Sequence, residues 1–521
     1  MHRSSARGTN GVTLNSPSGL PIRSKNRQPY WAIALIMGLM GAFLWAIRGT
    51  AGFGGSSGGL FAGVGWAILW FRFSHSVEFR GRLSSPWMVV AITLGIAYGG
   101  MTGYGVYIGW LRGQFYLDHP SGEREIAAWT GYAMLFVCGL HWGGVTGAFM
   151  AWCRPSASMR WWHWLLRLMA GGVGAVLALW VVKTFPHYFL PFYAEGIYGL
   201  AENASCLRAE RTIREIAPHV GLFLGFLVFE VVRRDWSAVG LMLVMSLGFA
   251  VPFCVGGYWQ TFNGFGIKLD WWKYWEMSIG LGGGLAFGLA YYLFNTPTAD
   301  KVKHYSNRAY VLGAAFPIWL AMVRSVVNAF DGALGIHGYA EFAKSNRWWV
   351  LLSVLTPATI LLVTWIHKVQ WPRENWRREN DRPREDCGSN LNRPSSGPAR
   401  LANTILWATA LAVTAIVLHR IAIPYLPEAV FAYGLLGLPP LFLALGYCLF
   451  RPVLSLERSP IPPAFLDSML LLMVYLGLSV SLHWPMMFNN YLLVGLYLFC
   501  IVLSWVLWKS QAATPLRGSR E

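Results

Sequence analysis

Residues 126–152 read IAAWTGYAMLFVCGLHWGGVTGAFMAW, without one Asp, Glu, Lys or Arg. A helix needs about 20 apolar residues to cross the hydrocarbon of a bilayer, and this stretch exceeds that. Trp129 stands near one end, where an indole favours the membrane–water interface. Gly139, Gly143 and Gly147 recur every four residues and form one smooth stripe on a helix, along which a second backbone can approach closely. The stretch is therefore a membrane-spanning helix with a packing face, and His141 lies near its middle.

The same pattern recurs along the chain. Apolar runs begin near Tyr30, Phe53, Trp87, Ile126, Trp161, Ile216, Ser237, Lys273, Ala309, Trp348, Leu401, Ala429, Ala464 and Tyr491. The expectation is an all-α polytopic transmembrane helix bundle of about 14 spans. Doubled GxxxG stripes also mark Gly55/Gly59/Gly63, Gly95/Gly99/Gly103 and Gly280/Gly284/Gly288. Composition agrees: 55% of the 521 residues are hydrophobic and 13% charged, where a soluble domain carries about 25% charged residues. With both termini in the cytoplasm, 28 of the 42 Lys and Arg fall in the tails and cytoplasmic loops. This is the bias that orients membrane proteins. The net charge of +18 is thus a topology signal and points to no nucleic acid.

The organisation expected is a basic cytoplasmic tail (1–29), a glycine-rich ten-span domain (30–366), a cytoplasmic linker (367–400), a four-span Leu-rich module (401–508) and a short tail (509–521). The module is read as serving packing or homo-oligomerisation. In the outer loop 183–215, residues 203–217 read as a short charged helix capped by Asn203 or Ser205. Residues 93–97 (TLGIA) and 246–250 (SLGFA) open two spans of the same direction, consistent with spans one to four and five to eight as parallel repeats.

No P-loop, HExxH or CxxC occurs, so no cofactor, metal or catalytic residue is assigned. Ionisable groups in hydrocarbon are costly and normally face a partner or a cavity. Those assigned to substrate binding or proton coupling are Arg48, which ends the first span, His141, Glu276 near Lys273, and Arg324, Asn328 and Asp331 at helical spacing. Arg167 and Glu230 are placed near the cytoplasmic surface, with Glu230 pairing to Arg233 or Arg234, outside the site. Residues 258–263 (YWQTFN) combine aromatic rings with amides, which suits an interfacial belt or a sugar. The expected function is a transporter or flippase of a polar or anionic envelope substrate in the inner membrane. Its partners would be lipids and a small-molecule or lipid-linked substrate. The alternatives are a membrane-embedded transferase acting at the outer leaflet and a non-catalytic scaffold.

Overall fold

The computed structural model describes residues 30–48, 54–74, 83–118, 121–154, 159–262, 269–295, 305–322, 324–325, 463–483 and 488–512. The apolar runs beginning near Trp348, Leu401 and Ala429 lie outside these residues, as do the tails and the linker. Helix accounts for 83% of what is described, and six helices are long and apolar enough to cross a membrane. The protein is a helical one whose apolar helices are compatible with an integral membrane protein.

The helices are α1 (Tyr30–Ile47), α2 (Gly55–Ser74), α3 (Trp87–Gly99), α4 (Tyr107–Leu111), α5 (Trp129–Trp152), α6 (Trp161–Thr184), α7 (Ala204–Val232), α8 (Trp236–Gly256), α9 (Trp271–Phe294), α10 (Asn307–Tyr310, continued by a π-turn at Val311–Ala315), α11 (Pro463–His483) and α12 (Phe488–Ala512). Helices α1 and α2 are buried over most of their lengths and form the centre. Around them, α9 and α12 pack on α1, α3 packs on α2, and α11 touches both. Helices α5 and α8 pack tightly on each other. They close the remaining side through Trp142, Phe249 and Phe253, whose rings meet Trp45 of α1.

The glycine stripes are the contact surfaces. Backbone approach of this kind substitutes for the hydrophobic drive that assembles soluble bundles. Gly59 and Gly63 face Ile96 and Thr93 of α3, Gly139 and Gly143 face Ala250 and Met245 of α8, and Gly280 and Gly284 face Gly41 and Met37 of α1. A further pair escaped the sequence reading: Gly174 of α6 and Gly221 of α7 lie against each other's carbonyls.

Two expectations need correction. The charged helix at 203–217 and the span after it are one helix, α7, which runs through Pro218. Asn203 does not cap it by its side chain, which donates to the Ile197 carbonyl instead; Asp118 reaches across and accepts from the Ser205 amide at 2.6 Å. Second, the bundle is not purely helical. Gln114–Asp118 and Ser121–Glu125 form an antiparallel hairpin, because Phe115 and Leu117 alternate inward while Tyr116 and Asp118 point out. The two sets of four spans read as repeats take unequal places: the first opens with the central α1, and the second with α6, most of which is exposed and which packs on α7 at the periphery.

Candidate functional site

The run that starts at Trp87 is not one span. Helix α3 has 13 residues, a rise of about 20 Å, and stops at Gly99. Residues 100–106 (GMTGYGV) are non-helical before α4 begins at Tyr107. A methyl group on Gly99 would strike the Trp142 ring, and one on Gly100 would strike the Gly55 carbonyl. Only glycine lets the end of α3 settle against both α5 and α2. The break lies level with His141, about 18 Å from the Trp129 end of α5 and about 17 Å from its other end. Irregular backbone at such depth is tolerated where protein or a cavity covers it.

Two side chains of the break carry its chemistry. Thr102 Oγ1 donates to the Gly99 carbonyl at 3.0 Å and lies 3.0 Å from His141 Nε2. The imidazole tautomer sets which of the two donates, and the ring faces His219 of α7 at 5.6 Å. Tyr104 accepts a hydrogen bond from Arg48 and stacks on Trp272 at 6.1 Å.

Arg48 is 4% exposed. Its guanidinium lies over Trp45, Trp142 and Tyr104 at 4.5, 4.9 and 5.6 Å from the ring centroids. Such cation–π contacts compensate part of the lost hydration. No carboxylate pairs with it among the described residues, and its Nε has no acceptor. The indole N–H groups of Trp45 and Trp142 are likewise buried without an acceptor.

Glu276 stands one turn into α9. Asp270 caps that helix by accepting from the Lys273 amide at 3.3 Å, and the i, i+3 spacing then puts Lys273 Nζ 2.7 Å from Glu276 Oε2. Both side chains are nearly inaccessible, at 5% and 1%. Trp275, next to Glu276 on α9, meets the Tyr104 ring edge-on at 5.4 Å. Arg324 is exposed and donates from Nε to Ser57 Oγ at 2.9 Å, on the first turn of α2 beside the Gly55–Gly100 contact. Asn328 and Asp331 lie outside the described residues. The structure thus gathers Arg48, His141, Glu276 and Arg324 around the broken span.

The sequence reading missed Thr102, Tyr104, Trp45, Trp142 and His219. Their signal was the density of glycine at 99, 100, 103 and 105, which breaks a helix in mid-run. Glu230 pairs with Arg233 at 3.0 Å as expected. What was not expected is its second partner, Arg167, at 2.5 Å, with the two side chains exposed by only 2% and 0% and Arg167 held against Trp152 and Trp164. The amide of Gln260, in the aromatic 258–263 stretch, is engaged by Arg112; Asn263 lies outside the described residues. Among the described residues no group of three His, Cys, Asp or Glu could hold a metal ion. Set against protein-family models, curated proteins and solved structures, the chain matches none.

Proposed function

We propose that the protein is a transporter or flippase of a polar or anionic envelope substrate, spanning the inner membrane about 14 times with both termini in the cytoplasm. The observation that carries this reading is Arg48, a buried guanidinium with a free Nε–H and no carboxylate partner among the described residues. An uncompensated charge at such depth costs at least about 2.5–3.5 kcal/mol. A bound anion offsets that cost, and the broken span beside it has the form that transporters use to expose polar backbone to a substrate. In this reading Arg48 holds the anion, Arg324 stands toward the outer mouth, and the facing His141 and His219 pass a proton. The first ten spans carry the site, and the last four brace it.

A second reading, a transferase working from the outer leaflet, draws on the aromatic column below Arg48. Trp45, Trp66, Phe249 and Phe287 pack together there, which suits a site that opens to one side of the membrane only. Two-sided labelling separates the readings. A Thr102→Cys variant in sealed vesicles, treated with a membrane-impermeant thiol reagent, reacts from either face if the protein alternates access and from one face if it is an enzyme. Mass spectrometry of small molecules and lipids that co-purify with the wild type identifies the substrate. If Arg48→Gln retains the same co-purifying anion at the same occupancy, the reading fails.

A further inference from the structure

The charge balance around Arg48 defines the class of anion. Among the described residues, the charged side chains exposed by no more than 5% around Tyr104 are Arg48, which bonds it, and the Lys273–Glu276 pair of α9, whose neighbours Trp272 and Trp275 pack on its ring. Lys273 and Glu276 offset each other through their 2.7 Å contact, so that among these residues the unbalanced charge is the one on Arg48. The other polar groups at hand are neutral. Tyr104 is a phenol, Thr102 a hydroxyl, and the Trp45 and Trp142 indoles bring N–H donors that lack acceptors, as does Arg48 Nε. These unused donors are what an oxyanion takes up, and guanidinium N–H groups bind carboxylates and phosphates with directed, charge-assisted hydrogen bonds.

Resting on the anion-binding role just given to Arg48, we infer that the site takes a singly charged oxyanion, a carboxylate or a phosphodiester. One negative charge brings the buried cluster to neutrality. A dianion such as sulfate or a phosphomonoester leaves a surplus negative charge in an environment that penalises it. The contacts between Arg48 and the exposed Arg208 of α7 are aromatic: Tyr104, which accepts from Arg48, stacks on Trp272, whose edge lies beside Gly105 and Arg208. Such surroundings suit an anion that carries an organic body.

Calorimetric titration of the purified full chain tests this with propionate, dimethyl phosphate and sulfate. Wild type should bind the two monoanions at least ~10-fold more tightly than sulfate, and Arg48→Gln should weaken them roughly 10- to 100-fold. The decisive variant is Glu276→Gln, which raises the buried charge from one to two and should turn the preference toward sulfate. It also keeps the test alive should Arg48→Gln fail to fold. The same propionate titration in nanodiscs identifies the source. Weaker propionate binding in phosphatidylglycerol nanodiscs than in nanodiscs of a phosphate-free glycolipid supports a lipid phosphodiester, and identical titrations in the two support a free carboxylate. A wild-type preference for sulfate, or a preference that Glu276→Gln leaves unchanged, overturns the singly charged assignment while anion binding at Arg48 stands. If no anion binds wild type at all, the underlying role of Arg48 falls with it.

Discussion

Gly143 and Gly172 both sit in apolar helices, yet a methyl group means opposite things at the two. At Gly143 it would overlap the backbone carbonyl of Met245, whereas at Gly172 it meets nothing within 4 Å. Gly143→Ala should therefore push α5 from α8 and cost about 1–3 kcal/mol. Gly172→Ala should cost nothing, or gain up to about 1 kcal/mol from helix propensity. Thermal unfolding of both variants in detergent checks the contrast, and equal melting temperatures would contradict it. The spacing of Gly143 was legible because a stripe of small residues is a local pattern. The Arg167–Glu230 pair was not, because it joins residues that meet only once α6 has folded back on α7. Removing Glu230 leaves Arg167 charged and buried without a carboxylate, whereas Glu230 without Arg167 still keeps Arg233, so Glu230→Gln alone should cost about 3–5 kcal/mol. The double variant Arg167→Met, Glu230→Gln should recover much of that loss, since the buried charge at 167 is gone and Arg233 is partly exposed. Chemical denaturation of the single and double variants measures the difference.

Helix ends divide in the same way between what the chain announces and what only packing reveals. Asp235 precedes α8 and accepts from the Ala238 amide at 3.0 Å, a conventional cap. It also pairs with Arg154 at 2.5 Å. Burial raises the pKa of this carboxyl, but the Ala238 hydrogen bond and Arg154 together hold it below the usual carboxylate value. A depressed folded pKa means that the stabilisation is complete above the unfolded value of about 3.9 and is lost as pH falls through the lower folded one. The melting temperature of wild type should exceed that of Asp235→Asn near neutrality, with the gap closing below about pH 4. A gap that stays constant into acid would show that the charge does not matter. The break at 100–106 was illegible to hydropathy because glycine and tyrosine keep the average high while the backbone leaves the helix. The hairpin was missed because each strand has five residues, too few for alternation to stand out. Helix α7 was split in the sequence reading because its polar first half and apolar second half look like different elements, and Pro218 sits near the change.

At the level of the chain, the apolar runs were readable from composition and length, since each turns on a local average. Among the described residues, every run listed from the sequence opens on helix, and the one from Trp87 leaves it at 100–106. Which helices are central was not readable: α1 and α6 are both strongly apolar, but one is enclosed and the other peripheral. Packing partners decide that, and they are distant in sequence. The charge bias makes one global prediction. Tyr188, exposed in the 185–203 segment, should react as Tyr188→Cys with an impermeant reagent added outside intact cells, while a fluorescent fusion at the C-terminus should light up in the cytoplasm. The reverse pattern would invert the topology. The aromatic column has an optical consequence. Trp45 lies 5.7 Å from Trp66 and 4.9 Å from Trp142, all three fully buried and held in fixed, chiral array. Indoles this close couple their transitions, so the folded protein should show a strong near-ultraviolet circular dichroism signal. Loosening of the centre would erase that signal while the helical far-ultraviolet signal persists. The packing beneath Arg48 can therefore be watched directly, without a label.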